Sequence, residues 1–388
     1  MHLFVNALAA SAGGGLTYVR NVIPRLAASP AKITVVLPSG LRKEFGHSAD
    51  SKFIELNLSA ARRFLYEQST LPQLISHSGA DVLLSTGNFA TRRSPVPQVL
   101  LSRNSIYTSH DYFHDLRRRH EFGMLADTYL RSLLAKKSIQ WADVTVAPSE
   151  SFAAELRRWT AAEVISIHHG FDRQEFTRST RPLPDEVSAK LKSTEGTLRL
   201  LFVSHYNYYR NFETLIRALP ILRDTLPNRE VRLLLTSKLA AGENPGPYRP
   251  DSVLRLIKAL NVSEMVVQLG TIAYEELHQI YRCADLYVTP AYTETFAHPL
   301  VEAMSSGVPV IASDIPVHRE VCGDAAVYFD RFSPAALAGC ISKIVGSPEQ
   351  MSRMALSATQ RSHLFSWKTH VEKILGLCER LVVQRRGR

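Results

Sequence analysis

The chain has 388 residues, of which 45% are hydrophobic and 21% are charged, and its formal net charge is +10. This composition is typical of a soluble globular protein, and the length suits two domains better than one core. No apolar run reaches the length of about eighteen residues that a membrane-spanning helix needs. The four cysteines include no C-x-x-C pair, which argues against a zinc site or a disulfide framework and fits a reducing cytoplasm.

The positive charge is dispersed along the chain. Basic residues occur as doublets and as one triplet, at 117–119, without interleaved aromatic residues or a nucleic-acid-binding motif. We therefore expect no nucleic-acid partner. Two interpretations of the basic surface stay open: it is merely solvated, or it contacts an anionic membrane or a polyphosphate-linked lipid acceptor, to which each basic residue would contribute about 1 kcal/mol.

The first part of the chain alternates apolar strands with amphipathic helices. Residues 1–12 are interpreted as containing the first strand (2–7) and not a signal peptide, because no Arg or Lys precedes the apolar stretch. Gly13, Gly14 and Gly15 follow; they permit close approach of a ligand but do not form G-x-G-x-x-G. The further predicted strands are 33–37, 53–56, 81–84, 96–101, 144–147 and 164–167, and the predicted helices are 17–26, 60–76, 122–141 and one from Ser149. This alternation predicts a mainly parallel sheet covered on both faces.

A βαβ unit is predicted near residues 286–312. Residues 286–289 and 308–312 are short apolar strands, and 299–306 is the helix between them. Ligands of open α/β sheets bind beyond the carboxyl ends of the strands, where Glu294 lies, and Glu302 is expected in the first helical turn, where unpaired N–H groups favour an anionic ligand. Two carboxylates can accept hydrogen bonds from vicinal hydroxyls, so a sugar or ribose is the expected ligand. The alternative is that Glu302 only complements the helix dipole.

The residues of this unit resemble a known family. Glu294 followed by Phe296, a Glu-Ala-Met triplet that begins at Glu302, and Gly-Val-Pro-Val-Ile-Ala at 307–312 resemble the signature of the retaining glycosyltransferases of family four (group 1). The resemblance is specific over residues 265–330. It implies an α/β protein of the GT-B fold: two Rossmann-like domains with a cleft between them, and a C-terminal helix that crosses back to the first domain. Where the family usually has Gly, Gly and Leu, this chain has Thr295, Ala297 and His298.

The resemblance also implies a domain organisation. Residues 1–172 would form an acceptor-side domain, and residues 173–365 would bind the nucleotide sugar. A hinge is expected at 168–172, where Gly170 supplies a turn, and the proline-rich, polar residues 173–197 are interpreted as a linker. Residues 366–388 would form a helix to about Arg380 that packs back on the first domain, followed by a basic tail that we expect to fray.

Roles for individual residues follow from the same resemblance. Arg210 stands where the family usually has Lys and would clamp the donor diphosphate beside a helix N-terminus. Glu294 would orient and stabilise the donor sugar, and Glu302 would hold the ribose diol. Arg103 stands where many members have a His that meets the donor sugar, with His110 and His114 as nearby alternatives. The other residues expected at the donor are Gly14, Gly15, His205 (where the family usually has Arg), Lys238, Gly270, Thr295, Phe296 and Leu300.

These assignments imply a hexosyltransferase. It would move a mannose-, glucose- or rhamnose-like hexose from a nucleoside diphosphate sugar to a hydroxyl of a glycan or lipid-linked glycan, with retention, in polysaccharide or lipopolysaccharide assembly. The donor's own phosphate oxygen would accept the proton, so no nucleophilic side chain is required. Because the sequence lacks an Asp-x-Asp triplet, we expect no metal and no cofactor besides the donor. We expect a cytoplasmic location, or a peripheral one at the inner face of the membrane.

Three other functions are compatible with parts of the sequence. A sugar-nucleotide epimerase of the same two-domain shape is the nearest enzymatic alternative. A basic binding protein without enzymatic activity would explain the charge but would not need Glu294 or Glu302. A nicotinamide-dependent dehydrogenase would share the architecture, but the missing dinucleotide fingerprint argues against it.

Overall fold

The computed structural model describes residues 1–10, 13–46 and 50–387. The chain divides into two compact units. Unit 1 comprises Met1–Ser109, Leu116–Gly170 and Ser366–Arg388, and unit 2 comprises His110–Asp115 and Phe171–Phe365. The last stretch of chain therefore belongs to the same unit as the first strand.

Unit 1 is built on one parallel sheet. Its five inner strands consist largely of Val, Ile and Leu and are buried on both faces, as in other sheets with helices on either side, whereas its two edge strands are partly exposed. The strand order is β3-β2-β1-β4-β5-β6-β7, so consecutive connections run in one direction from β1 and in the other from β4. In the described residues the strands are β1 (His2–Asn6), β2 (Lys32–Pro38), β3 (Ser51–Leu56), β4 (Val82–Ser85), β5 (Gln98–Leu101), β6 (Val144–Ala147) and β7 (Val164–Ser166).

Helices cover this sheet, including the last helix of the chain. Trp367, Val371 and Ile374 of that helix are buried in the same core cluster as residues of the first strand and first helix. This confirms the predicted return of the C-terminal helix. The bounds are α1 (Gly13–Ala27), α2 (Ala60–Ser69), α3 (Leu71–Ser78), α4 (His110–Arg118, whose first six residues count with unit 2), α5 (Phe122–Trp141), α6 (Glu150–Trp159) and α16 (Trp367–Arg386).

Unit 2 has a second parallel sheet with the strand order β10-β9-β8-β11-β12-β13. The two sheets confirm the predicted α/β class of fold. The described strands are β8 (Leu198–Phe202), β9 (Val231–Leu235), β10 (Val266–Gln268), β11 (Leu286–Thr289), β12 (Val310–Ser313) and β13 (Ala326–Phe329). The helices are α7 (Arg173–Phe176), α8 (Asp185–Lys192), α9 (Phe212–Thr225), α10 (Asp251–Ala259), α11 (Leu277–Arg282), α12 (His298–Ser305), α13 (Pro316–Cys322), α14 (Pro334–Val345) and α15 (Pro348–Ser362).

Three local predictions are wrong. Residues 173–197 are not a simple linker, because α7 and α8 place Phe176 and Leu191 in the core of unit 2. The predicted helix over 60–76 is two helices, since Pro72 near the start of α3 has no N–H to continue the hydrogen-bond ladder of α2. The tail does not fray at residues 385–386: α16 continues to Arg386, whose Nη2 lies 2.8 Å from Asp81 Oδ1.

Two predictions extend beyond the described residues. The strand predicted within residues 1–12 is confirmed by β1. Ser11 and Ala12 lie outside the described residues. Arg388 also lies outside them. Within the part of the chain that is described, no helix is both long and apolar enough to cross a bilayer.

Candidate functional site

Neighbouring strands β8 and β11 mark the place where the strand order of unit 2 reverses. The chain leaves β8 towards β9 on one side and leaves β11 towards β12 on the other, so the loops after these two strands diverge. Such a switch point leaves a crevice at the carboxyl edge of the sheet, where ligands of this architecture bind. The loop after β8 carries His205 and Arg210, and the loop after β11 carries Glu294.

A short 3₁₀ turn over Tyr208–Arg210 positions Arg210. The side chain of Asn207 caps this turn by accepting a hydrogen bond from the backbone N–H of Arg210 at 3.1 Å. Asn211, the next residue, has φ 55°, a left-handed conformation that Asn adopts more readily than most residues. Its side-chain amide donates to the carbonyl of Pro290 at 3.2 Å, which ties the Arg210 turn to the start of the Glu294 loop.

Arg210 and Glu294 form an ion pair across the switch point. The two side chains are 19% and 10% exposed, so water screens this pair much less than a surface pair. The loops that carry them are also joined through the backbone, because Tyr292 N–H donates to Tyr209 O at 3.0 Å. The structure thus brings together two of the predicted residues: a cation suited to a phosphate and a carboxylate suited to sugar hydroxyls.

His205 lies beside this pair on the same loop and is exposed. Partial desolvation and the positive charge of Arg210 lower the pKa of His205, so its ring is neutral at pH 7. The departure from the family's Arg at this position therefore removes a cation. Arg210 is left as the cation of this loop segment among residues 203–211.

Lys238 and Gly270 form a second group at the same edge of unit 2. Gly270 has φ +85°, and a Cβ placed there would lie 3.3 Å from Lys238 Cε, so the lysine stem runs over the glycine. The loop after β9 is linked to the His205 loop by Asn244. Its side chain accepts from Tyr206 N–H at 2.8 Å and donates to the carbonyl of Lys238 at 2.7 Å.

Glu302 is placed differently from the prediction. Helix α12 begins at His298, one residue early, so Glu302 is its fifth residue and lies beyond the first turn with its unpaired N–H groups. The side chain is buried, and Tyr281 O–H donates to its Oε2 at 2.9 Å. Burial raises the pKa of Glu302 to about 7, partly offset by the hydrogen bond from Tyr281.

Backbone conformation explains why glycine is usual at one position of the Glu294 loop. Ala297 precedes α12 with φ 61°, a left-handed conformation that costs a residue with a Cβ about 1–2 kcal/mol and that glycine adopts freely. This is one of the positions where the family usually has Gly. Phe296 and Leu300 are buried in the core of unit 2, whereas Thr295 is half-buried.

Sequence reasoning missed a buried pair that supports this loop. Ser313 at the end of β12 donates its hydroxyl to the carbonyl of Ala291, and His318 Nδ1 lies 3.0 Å from the carbonyl of Ser313. Since a carbonyl only accepts, Nδ1 carries the proton. Burial lowers the pKa of His318 to about 4. Ser313 and His318 are only five positions apart, but no periodicity or motif in the sequence marks this pair.

The predicted residues of unit 1 gather around Arg103. Its Nη1 donates to the carbonyl of Gly14 at 3.0 Å and its Nη2 to the carbonyl of Thr86, so it links the first turn of α1 to the loop after β4, where the strand order of this sheet reverses. The guanidinium lies 4.9 Å from the Tyr18 ring centroid, and a Cβ on Gly15 would lie 3.6 Å from Nη2. Burial lowers the pKa of Arg103 to about 10, which leaves it charged at pH 7.

The two histidines predicted as alternatives to Arg103 are not buried as Arg103 is. His110 and His114 are exposed on α4, in the segment that counts with unit 2. Within the described ranges, no group of three or more His, Cys, Asp or Glu side chains could hold a metal ion.

Comparison with protein families gives two matches that together cover most of the chain. Residues 12–175 match the model described as Glycosyltransferase Family 4, and residues 185–361 match the model described as Glycosyl transferases group 1. Similar curated proteins include the D-inositol 3-phosphate glycosyltransferases of Nocardia farcinica and Streptomyces avermitilis. The first is 30% identical over 250 residues, 63% of this chain and 54% of that protein. The second is 27% identical over 236 residues, which are 59% of this chain and 50% of that protein. The chain thus spans about half the length of the curated relatives it matches.

Solved structures resemble the whole chain. Sucrose-phosphate synthase from Thermosynechococcus elongatus has a TM-score of 0.75 at 20% identity, with 99% of this chain and all of that one covered. Anabaena HepE, determined in complex with UDP-glucose, has a TM-score of 0.72 at 16% identity and coverage of 98% and 99%. At these identities the likeness shows a shared fold.

Proposed function

This chain belongs to the group 1 (family four) glycosyltransferases of the GT-B fold, and from that premise we propose that it transfers a hexose from a nucleoside diphosphate sugar to a hydroxyl group. The observation that carries the proposal is the Arg210–Glu294 ion pair at the switch point of unit 2. It combines a phosphate-binding cation with a sugar-orienting carboxylate in a partly buried place. UDP-glucose is the first donor to test, because HepE was crystallised with it.

In this proposal the diphosphate displaces Glu294 from Arg210. The guanidinium then donates to phosphate oxygens, and the released carboxylate of Glu294 accepts hydrogen bonds from the sugar hydroxyls. Negative charge on the leaving diphosphate grows as the glycosidic bond breaks, so Arg210 stabilises the transition state more than the ground state. Lys238 and the backbone at Gly270 and Thr295 are assigned to the nucleotide and sugar, and Glu302 to the ribose diol.

We further propose that transfer proceeds with retention and without a metal ion. The donor's phosphate oxygen would take the proton of the acceptor hydroxyl, and the absence of an Asp-x-Asp triplet supports metal independence. The acceptor is proposed to be a glycan or lipid-linked glycan of polysaccharide or lipopolysaccharide assembly, and Arg103, Gly14 and Gly15 keep the donor-directed roles that the family resemblance implies. A cytoplasmic location, with peripheral attachment to the inner face of the membrane, completes the proposal.

The test is a product assay with a panel of nucleoside diphosphate sugars, with and without glycan acceptors. A glycosylated acceptor in the mass spectrum, with the anomeric configuration of the donor in the NMR spectrum and unchanged turnover in EDTA, is the expected result. Conversion of the donor sugar without an acceptor would instead identify an epimerase. Binding of the panel without any turnover would favour a binding protein and overturn the proposal.

A further inference from the structure

The first six residues of α4 count with unit 2. Asp111 and Asp115 are four positions apart and therefore lie on one side of the helix, and Tyr112 adjoins the first of them. These three side chains contact four loops of unit 2, namely those after β8, β9, β11 and β13. In a parallel sheet such loops share the carboxyl edge, where ligands bind. This short segment thus contacts both loops that carry the Arg210–Glu294 ion pair.

Asp115 holds the Glu294 loop through Tyr292, which lies two residues before Glu294. The Tyr292 hydroxyl donates a hydrogen bond to Asp115 Oδ2 at 3.1 Å, and both side chains are buried. The backbone N–H of Tyr292 donates to the carbonyl of Tyr209, so this residue is fixed at its side chain and at its backbone. The helix dipole does not account for Asp115, because this position lies beyond the first turn of α4. A buried carboxylate costs free energy unless hydrogen bonds compensate for it, so the contact with Tyr292 is a specific one.

Asp111 holds a second loop through Arg331. The Nε and Nη2 atoms of Arg331 lie 2.9 and 2.8 Å from Asp111 Oδ2. The backbone carbonyl of Arg331 accepts a hydrogen bond from the side-chain amide of Asn211 at 2.6 Å, and Asn211 directly follows Arg210. Both side chains of the ion pair are partly exposed, so water screens it, and we assign it a smaller effect than the buried Asp115 contact.

Tyr112 reaches Arg210 through an aromatic contact. The Tyr112 and Tyr209 rings meet edge to face with a centroid distance of 6.1 Å, and the guanidinium of Arg210 lies 5.4 Å from the Tyr209 centroid. The Tyr112 hydroxyl also lies 3.1 Å from the hydroxyl of Tyr248, in the loop after β9. Edge-to-face rings and a cation over a ring face both have preferred geometries. The orientation of Arg210 therefore depends on α4 as well as on its own 3₁₀ turn.

We propose that Asp115 is a positioning residue of the donor site. Through Tyr292 it holds the Glu294 loop against the turn that carries Arg210, and the other two α4 residues hold the neighbouring loops in the same arrangement. The proposal rests on the proposed function, which assigns Arg210 to the diphosphate and Glu294 to the sugar. Asp115 acts on the reaction by geometry alone, and a displacement of about 1 Å in a reacting group can reduce turnover by about 10²-fold.

The first experiment is steady-state kinetics with UDP-glucose. Tyr292→Phe removes only the hydroxyl and should reduce kcat by about tenfold or more, with a change in KM of about twofold or less. Asp115→Leu should have the same effect, whereas Asp115→Asn keeps an acceptor oxygen and should retain most of the parent's kcat. The double variant Tyr292→Phe/Asp115→Leu should lose no more than the worse of the two single variants, because both remove the same contact.

Tyr328→Phe is the control within unit 2. Tyr328 on β13 is partly buried, and its hydroxyl donates to the carbonyl of Gly323, so the variant also removes one hydroxyl and one hydrogen bond. It should change kcat by less than about twofold. The proposal is overturned if Tyr292→Phe turns over like this control, or if the losses of Tyr292→Phe and Asp115→Leu multiply in the double variant.

A second experiment needs no turnover and separates this proposal from the proposed function. Urea unfolding of Arg210→Ala, Glu294→Ala and the variant with both changes gives the coupling energy of the ion pair. Adding Tyr292→Phe to each protein should reduce this coupling by about half or more, and adding Tyr328→Phe should leave it unchanged. Coupling that falls in a parent without transferase activity would support the positioning role and overturn the proposed function. Coupling that stays unchanged with Tyr292→Phe would overturn the positioning role even in an active transferase.

Discussion

The hydroxyl of Tyr18 donates a hydrogen bond to Nε2 of His370, with 2.9 Å between the two atoms. The direction follows from the other ring nitrogen: His370 Nδ1 lies 2.8 Å from the carbonyl of His168 and must carry the proton. Helix α16 is thereby fixed to α1. Since the Tyr18 ring also lies under Arg103, the last helix of the chain supports the residue that links the first turn of α1 to the loop after β4.

Tyr18→Phe should lower the free energy of unfolding by about 1–3 kcal/mol, because it leaves the buried His370 Nε2 without its donor. Urea denaturation checks this. Tyr66→Phe, at a half-buried tyrosine of α2, is the control and should change stability by less than about 0.5 kcal/mol. Equal stabilities of Tyr18→Phe and parent would mean that the hydrogen bond contributes nothing.

Acid should destabilise the fold through two buried histidines. Burial lowers the pKa of both His370 and His318 to about 4, from 6.5 in an unfolded chain. Between these pH values the unfolded chain binds more protons than the folded chain. The contribution of the two neutral histidines to the free energy of unfolding is therefore fully present above pH 6.5 and falls as the pH decreases towards 4, by up to about 3 kcal/mol for each histidine. His370→Gln should flatten this slope in urea titrations at several pH values, whereas His363→Gln, at an exposed position, should leave it unchanged.

Glu302 has the opposite effect on the pH dependence of stability. Its pKa is raised to about 7, so the folded state binds more protons than the unfolded state between pH 4.5 and 7, and ionisation of Glu302 costs stability above that window. Glu302→Gln should therefore be more stable than the parent at pH 8, by about 1–3 kcal/mol, with the difference gone below about pH 4.5. Glu195→Gln, at an exposed turn, should show no such dependence.

The same Glu302→Gln variant should weaken donor binding more than turnover if Glu302 holds the ribose.

Sequence reasoning succeeded where the signal is local. Helix α5 spans the predicted residues 122–141, and β6 spans the predicted 144–147. The βαβ unit around Glu294 and Glu302 was predicted because short β-rich runs flank a helix that begins near a proline, and the family resemblance rests on the same residues. Fold class and family could therefore be inferred before any coordinates.

The features that the sequence did not predict depend on contacts between distant parts of the chain. Tyr281 holds Glu302 from 21 positions away, and Arg103 reaches the carbonyl of Gly14 across 89 positions. Neither contact has a periodicity or a fixed spacing that a sequence could reveal. Composition alone predicts a linker at α8, because its polar face and flanking prolines dominate, whereas a pair of buried residues, Val187 and Leu191, is enough to dock the helix.

Close approach of two backbones makes Gly170 irreplaceable. A Cβ at Gly170 would lie 2.0 Å from the backbone nitrogen of Trp367 at the start of α16, and backbone cannot rotate away as a side chain can. Gly170→Ala should cost more than about 3 kcal/mol or prevent α16 from docking. Gly376→Ala is the control within α16: no described atom outside its own helix lies within 4 Å of the added Cβ, and helix propensity should stabilise it by up to about 1 kcal/mol. Thermal unfolding of both variants measures the contrast.

Arg210→Ala should reduce kcat by about 10²–10³, with a smaller change in the KM for the donor, because charge on the leaving diphosphate grows in the transition state. Arg210→Lys restores the charge but not the planar fork and should recover much of the loss. Arg232→Ala is the control: Arg232 on β9 is 18% exposed and pairs with the exposed Glu230 just before the strand, and Arg210 is 19% exposed in its pair with Glu294. It should cost stability without a comparable loss of kcat, which separates the two effects in steady-state kinetics. If Arg210→Ala turns over like the parent, the diphosphate is held by His205, Lys238 or backbone groups, and the role assigned to Arg210 is wrong.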